Sequence, residues 1–299
     1  MHIPDMMLQG AICPATAAIA SIGLVGTAYA AYKTKIKPAA SLFAGVTALI
    51  FAAQMVNFPI LTGTSGHLLG ATLAVAMLGS AFGIMAMSLV VIVQCLIFAD
   101  GGISVLGANL LNMALLASLP AILVREFYTS ASYKETAYFA AAFLSTLLAA
   151  VACAIQLGVA GVAPVQSVLS AMLFVHAWIG LAEAGLTVVA LIVLSSVATK
   201  VAPQRFGMVL LGFAAVVAVV LSPFAASSPD GLEAVAGMLG FHHLSDTFHP
   251  APFADYTVPT IASAALSTAL AGFIGIATLF TVAYGTGRAF ALSERRKNG

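Results

Sequence analysis

The chain has 299 residues, of which 62% are hydrophobic and only 7% charged, with a net charge of +1 and a mean hydropathy of +1.09. Soluble domains carry about 25% charged residues, so a chain this apolar is read as dissolved in lipid. Repeated apolar runs of about 20 residues, one per bilayer crossing, make it an all-α polytopic membrane protein. No basic patch points to nucleic acid. Cys13, Cys95 and Cys153 form neither a CxxC pair nor a zinc spacing and read as small packing residues.

Met1-His2-Ile3-Pro4-Asp5 opens the chain without a basic stretch, an apolar stretch or a cleavage site before the first long run, so this end is expected to be retained. Nine spans are predicted, at about Ile12–Tyr32, Ala39–Asn57, His67–Gly79, Phe82–Phe98, Leu106–Val124, Ala137–Val159, Ala171–Val197, Phe206–Ala226 and Pro259–Tyr284. The third is short for a full crossing and is expected to borrow from the loop before it or to enter at a slant. Phe58–Gly66 is a Pro/Gly/Thr/Ser loop, Asp100-Gly101-Gly102 a second loop, and Ser227–Val258 a long polar one. The chain divides at the basic connector Ala198–Arg205, giving a seven-span part (1–200) and a two-span part (201–299) with an outer loop at 227–258.

Charge tests this count. With the N-terminus outside, alternating connections put all eleven basic residues inside: Lys33, Lys35, Lys37, Arg125, Lys134, Lys200, Arg205, Arg288, Arg295, Arg296 and Lys297. That is the positive-inside bias, with the C-terminus cytoplasmic. Asp5, Asp100, Asp230, Glu233, Asp246 and Asp255 then fall outside, on a face that attracts cations.

The histidines follow the same side. His2, His67, His242, His243 and His249 lie at or beyond the outer boundary, and His176 lies in the outer half of the seventh span. A free α-amine joined to a histidine can grip a metal through the amine, the next amide nitrogen and the imidazole in fused chelate rings. Pro4 has no N–H, so a backbone chelate stops at Ile3. His67 follows Gly63-Thr64-Ser65-Gly66; with Thr64 or Ser65 capping the third span, its ring is expected at a helix N-terminus, where the neutral form is favoured. Met1, His2 and His67 then supply four nitrogens in a plane. That set suits Ni(II) or tetragonal Cu(II), and suits Mg, Ca or Mn badly. Zinc prefers a tetrahedron. The amide must lose its proton, so binding is expected to weaken as pH falls.

Glu183 is the acid predicted deep in a span, two helical turns from His176 on one face. It is read as a partner orienting a metal-binding histidine, as part of an ion path, or as a structural hydrogen bond between helices. Asn57, Ser65, Asp100 and His176 are further candidates for supporting the site or the path. Gln54, Gln94, Asn109 and Asn112 read mostly as interhelical hydrogen-bonding residues.

Four stretches resemble one family. Met1–Asp5, FAAQMVNFPILTGTSGHLLG (Phe51–Gly70), FADGGISVLGANLLNM (Phe98–Met113) and HAWIGLAEAGLT (His176–Thr187) are similar to the CbiM/NikM substrate-capture components of energy-coupling-factor transporters for nickel and cobalt. SSPDGLEAVAG (Ser227–Gly237) resembles a fused N-type accessory part. The resemblance implies a metal site of Met1, His2 and His67, with no organic cofactor. It also implies partners: a transmembrane coupling subunit and separate ATPase subunits, in keeping with the lack of a GxxxxGK[ST] loop in this chain. Nickel is favoured over cobalt as the transported ion. Where the family usually reads MHIPDGFL, Met6-Met7 stand here, as apolar filling or a weak soft contact.

Two other readings compete. Gly63-Thr64-Ser65-Gly66 resembles the GxSG of rhomboid-like intramembrane serine proteases, with Ser65 as nucleophile and His176 as base. The trio His242, His243 and His249 reads as a metal-scavenging antenna on the outer loop or as an unstructured polar loop.

Overall fold

The chain folds as a helical bundle whose second helix is sheathed by the others. The structure is a computed structural model, and it describes residues 1–61, 63–128, 133–245 and 249–298. In chain order the helices are α1 Ile12–Lys33, α2 Ala40–Gln54, α3 Ala71–Leu78 and α4 Ser80–Phe98. Then come α5 Leu106–Phe127, α6 Lys134–Val159, α7 Val165–Ala198 and α8 Pro203–Phe224. A short α9 Gly231–Leu239 and a long α10 Ala264–Asn298 complete the set. Within α5, Leu110–Leu116 is wound as a π-helix, and α8 loosens the same way at Val217–Leu221.

Seven of these, among the described residues, are long and apolar enough to cross a bilayer. Their outward faces carry large exposed apolar side chains, Ile22 and Val25 on α1 and Phe174 and Trp178 on α7. In lipid that is the low-energy surface. The predicted second span is the 15-residue α2, which breaks at Gln54 rather than at Asn57. Its residues from Phe43 to Ala52 are all buried, with Phe43, Ile50 and Phe51 fully enclosed. The two-span remainder packs on α2 through α8 and α10. There the backbones nearly touch: a Cβ on Gly45 would stand 2.4 Å from the Gly207 carbonyl oxygen, and one on Gly207 would stand 2.1 Å from that of Ser41. Only glycine permits this crossing.

The predicted third span needs correction. It is the eight-residue α3, about 12 Å long at 1.5 Å per residue, and it starts at Ala71 rather than at His67. Thr64 and Ser65 do not cap it. They sit in a strand, β2 Thr64–Gly66, antiparallel to β1 Phe58–Leu61, with Phe58 opposite Gly66 and Pro59 opposite Ser65. Gly70 is the N-cap, at φ +83°. The non-helical stretch His67–Gly70 therefore covers depth that a helix would otherwise span. Irregular backbone at such depth must find polar partners from protein. It does: Glu183, near the middle of α7, accepts from the Leu69 N–H at 2.6 Å and the Gly70 N–H at 2.9 Å. Gln54 Nε2 donates to the Leu69 carbonyl at 2.7 Å.

The two ends of the bundle differ chemically. Arg125, the α3–α4 joint and the end of α1 border one crevice, and Lys134, the end of α7 and Phe206 border another. At the opposite end gather the chain start, the β-hairpin, Asp100 and the segment 226–233.

Candidate metal centre

The first seven residues run into the bundle as extended chain and a short turn at Asp5–Met7. Such a segment cannot satisfy its own backbone, and its neighbours do so. Asn109 clamps Ile3 in both directions: the Ile3 N–H donates to Oδ1 at 2.9 Å, and Nδ2 donates to the Ile3 carbonyl at 3.1 Å. The Gly102 N–H adds a bond to that carbonyl at 2.9 Å. Asp5 accepts from the Ser104 N–H at 2.8 Å and hydroxyl at 2.6 Å. Ile3 and Met7 are buried. Met7 is buried apolar filling, and both Met6 and Met7 border the cavity described below.

This clamp presents the first two residues to two carboxylates. The Met1 amine donates to Asp230 Oδ2 at 2.7 Å. Asp230 is held in turn as the N-cap of α9, in a capping box with Glu233. His2 Nδ1 lies 2.8 Å from Asp100 Oδ1, and its Nε2 lies 3.1 Å from Gln94 Oε1. Asp100 Oδ2 accepts from the Tyr256 hydroxyl at 2.6 Å, and Gln94 Nε2 donates to the same hydroxyl at 3.2 Å. The His67 ring stacks on that of His2, with centroids 5.8 Å apart and planes at 22°. His67 Nδ1 donates to the Leu68 carbonyl at 3.0 Å, which leaves Nε2 as the basic nitrogen.

Protonation follows from these neighbours. Burial opposes charge on the Met1 amine, but the Asp230 carboxylate, with help from Asp100, raises it above the ordinary value. For His67 burial and the nearby positive amine act together and push it down to about 4. Burial pushes Asp100 up, yet His2 and the Tyr256 hydroxyl bring it well below the usual carboxylate range. Asp230 is likewise held far down, against burial, mainly by the amine. The site is therefore an amine and a neutral imidazole facing two firmly ionised carboxylates.

Among the described residues, no three His, Cys, Asp or Glu side chains converge to hold a metal by themselves. The nitrogen donors assembled here include main-chain atoms. They open onto a cavity of about 1080 Å³ lined by His2, His67, Asp100, Asp230 and Tyr256 among others.

Of the other sequence candidates, Asn57 lines this cavity, and its carbonyl accepts from the Ala226 N–H at 2.8 Å. Ser65 is no nucleophile: its hydroxyl donates to the Ser228 carbonyl at 2.6 Å and its N–H to the Pro229 carbonyl at 2.8 Å. His176 donates from Nδ1 to the Met172 carbonyl at 2.8 Å, so Ser65 and His176 form no dyad and the protease reading fails. Glu183 is not bonded to His176 but to the backbone beside His67. These bonds let the carboxylate fix the histidine loop. The histidine trio splits. His249 turns inward, with Nε2 donating to the Cys95 carbonyl at 2.6 Å and Nδ1 3.6 Å from Asp5, whereas His242 and His243 are exposed. Asp246 lies outside the described residues.

Sequence reasoning missed Asp230 and Tyr256 as parts of the site. Asp230 carried a signal, the spacing Asp230-Gly-Leu-Glu233 of a helix N-terminus. The structure also explains the glycine beside it: a Cβ on Gly231 would come 2.8 Å from the His176 ring. Nothing in the sequence marks Tyr256.

Fold and site together define a multi-pass membrane protein with a buried chain start facing an acid-lined cavity. The chain belongs to the CbiM family, matching the cobalt uptake substrate-specific transmembrane region over residues 2–201. A PDGLE domain matches residues 204–292. A protein of Archaeoglobus fulgidus assigned as a fused nickel transport protein, NikMN, is 33% identical over 98% of both chains. One of Haloquadratum walsbyi assigned to metal transport is 34% identical over 62% of this chain and 86% of its own. A solved crystal structure of a transition metal transporter superposes with a TM-score of 0.59 at 28% identity, covering 70% of this chain and 99% of that one.

Proposed function

We propose that this chain is the substrate-capture subunit of an energy-coupling-factor transporter that imports Ni(II). The ion is held by the Met1 amine, the deprotonated His2 amide, His2 Nδ1 and His67. The observation that carries this reading is the pairing of two of the three chelating nitrogens of the chain start with carboxylates, the Met1 amine with Asp230 and His2 Nδ1 with Asp100. A cation replacing the protons on those nitrogens keeps both counter-charges. With the amide deprotonated, the two carboxylates face a complex of net charge +1, which moderates the cost of burial. The stacking of His67 on His2 brings the fourth nitrogen to the same place.

The division at about residue 200 gives a capture part, 1–200, and an accessory part, 201–299, that supplies Asp230. Membrane orientation follows the charge asymmetry: the acid-lined end outside, the basic end in the cytoplasm. Energy comes from partners, a transmembrane coupling subunit and ATPase subunits. Cobalt is the second reading. The matched family region is described for cobalt uptake, while the full-length relative is assigned to nickel; planar four-nitrogen donors favour d⁸ Ni(II). The test is metal analysis of the purified protein after exposure to equal Ni(II) and Co(II), with His67→Ala as control. One equivalent of nickel, lost in the control, is expected. Cobalt in its place selects the second reading, and metal retained by His67→Ala overturns the chelate.

A further inference from the structure

The segment that begins at His249 runs along the end of α4 and uses what a helix end leaves free. The last carbonyls of a helix lack intrahelical partners. Two of those of α4 accept from this segment, Cys95 from His249 Nε2 at 2.6 Å and Ile97 from the Phe253 N–H at 3.0 Å. Tyr256 follows, its ring stacked on Phe98 with centroids 4.7 Å apart and planes at 16°. Asp255 at φ +52° and Tyr256 at φ +54° are both left-handed, a conformation that L side chains rarely adopt. The Thr257 N–H closes the turn on the Ala254 carbonyl at 3.1 Å. Strain of this kind persists where the surroundings over-determine it, and it points to function.

The turn places one hydroxyl between the two groups that hold His2. Tyr256 donates to Asp100 Oδ2 at 2.6 Å, and Gln94 Nε2 donates to the tyrosine oxygen at 3.2 Å. The direction of these bonds is forced. Asp100 is an ionised carboxylate and can only accept, so the single hydroxyl proton goes to it. The tyrosine oxygen is then an acceptor toward Gln94, and the atom of Gln94 that faces it must be the amide nitrogen. Gln94 Oε1 is thereby turned to His2 Nε2 at 3.1 Å, where it accepts and requires a proton on Nε2. The reversed amide would leave the tyrosine oxygen against a carboxylate oxygen with no proton between them.

We propose that Tyr256 is a positioning residue for metal capture: acting through Gln94, it fixes the proton of the neutral His2 ring on Nε2 and leaves Nδ1 for the ion. A neutral imidazole carries one proton, and the hydrogen bond at one ring nitrogen decides what the other can do. Without the hydroxyl, Gln94 can turn over, offer its NH₂ to Nε2 and drive the proton to Nδ1, where it blocks the ligand. Tyr256 lies in the region matched as a PDGLE domain, so the accessory part sets the tautomer of a histidine in the capture part.

The proposal rests on the capture reading, and the experiment separates the two. Tyr256→Phe keeps the ring on Phe98 and removes the hydroxyl, while Gln94→Met removes the amide with little change in volume. Ni(II) affinity is measured on the purified full-length chain, on each variant and on the double variant. Tyr256→Phe should weaken binding about 10- to 100-fold, the range for groups that orient ligands, but less than about threefold in the Gln94→Met background, because the two act as one unit. Unchanged binding by Tyr256→Phe would overturn the proposal. So would equal losses in both backgrounds, which would assign the hydroxyl to Asp100 or to the fold. Nitrogen NMR signals of the neutral His2 ring in the metal-free protein give a reading independent of affinity: the proton on Nε2 in the unaltered chain, and a shift toward Nδ1 in Tyr256→Phe. The same signals in both proteins would overturn the proposal as well. If the unaltered chain binds neither nickel nor cobalt, it is the capture reading that fails.

Discussion

The proposed nitrogen donors come from two stretches of irregular backbone inside a helical bundle, and the two are held by opposite means. Met1–Ile3 is fixed by neutral amide bonds from Asn109 and by ion pairs at its tip. His67–Gly70 is fixed by a buried carboxylate, Glu183, that caps the next helix. On the proposed chelate, the first segment holds exchangeable partners on ligand atoms, and the second holds partners on backbone atoms that are not ligands. A site that must take up and release an ion is well served by one stretch that trades bonds against one that stays still.

The largest break in this comparison is a change of chain start. One glycine inserted between Met1 and His2 retains every ligand type but moves the amine away from the His2 amide and enlarges the chelate. We expect Ni(II) affinity to fall about 1000-fold or more, equivalent to about 4 kcal/mol, with helicity by circular dichroism unchanged. Equilibrium dialysis measures it. Near-normal affinity would show that the amine is not a ligand.

Acidity separates the two segments next. The amine's raised value means that a metal must displace its proton, and the amide proton must leave as well. His67, pushed down to about 4, is already neutral at every pH above that. Two displaced protons predict that Kd rises about 100-fold for each unit of pH lost between about pH 8 and 6. The empty protein runs the other way. A group raised on folding lends stability below its ordinary value and loses it as pH rises through the raised one, so the amine–Asp230 contribution fades in alkali. A shallow, tenfold-per-unit slope would leave the amide out of the chelate.

Removing the clamp on the exchangeable segment comes third. Asn109→Leu keeps volume but leaves the Ile3 N–H buried without its partner, at a cost of about 1–3 kcal/mol. Metal affinity should drop 10- to 100-fold, the usual range for groups that orient ligands, and calorimetry on the purified variant reads it.

Much of this was legible in the sequence because it depends on local pattern. Apolar runs located the helices, and a histidine after Met1 and another after Thr64-Ser65-Gly66 marked two rings that the fold brings together. What escaped depends on long-range packing. Asn109 and Glu183 looked like residues joining helices; their partners turned out to be backbone atoms of irregular segments, which no spacing announces. The third span misled because its hydropathy does not distinguish a helix from apolar extended chain. The loop at 227–258 hid its contribution because Asp230 meets Met1 across 229 residues of sequence.

On the permanent segment, Glu183→Gln replaces one of two acceptors by an amide donor that faces a backbone N–H. The loop at His67 should loosen and affinity fall about tenfold, at the low end of the range for orienting groups. Thermal melting of the empty protein should fall with it, because the carboxylate serves the fold whether or not metal is present. That distinguishes it from Asn109, whose loss falls mainly on the chain start.

The smallest effect is expected where neither segment is touched. His242 and His243 are exposed, and among the described residues the His242 ring bonds to nearby Ser245, whereas His249 is tied to the bundle through Cys95. Among the described residues no third ligand joins these imidazoles, and two exposed rings alone hold a divalent ion weakly against water. The double variant His242→Ala, His243→Ala should therefore change uptake less than about twofold, within the spread of surface substitutions, even at limiting nickel. A drop confined to low nickel would restore the antenna reading for these two residues alone, since His249 points to the opposite side of its loop, into the packing around Asp5.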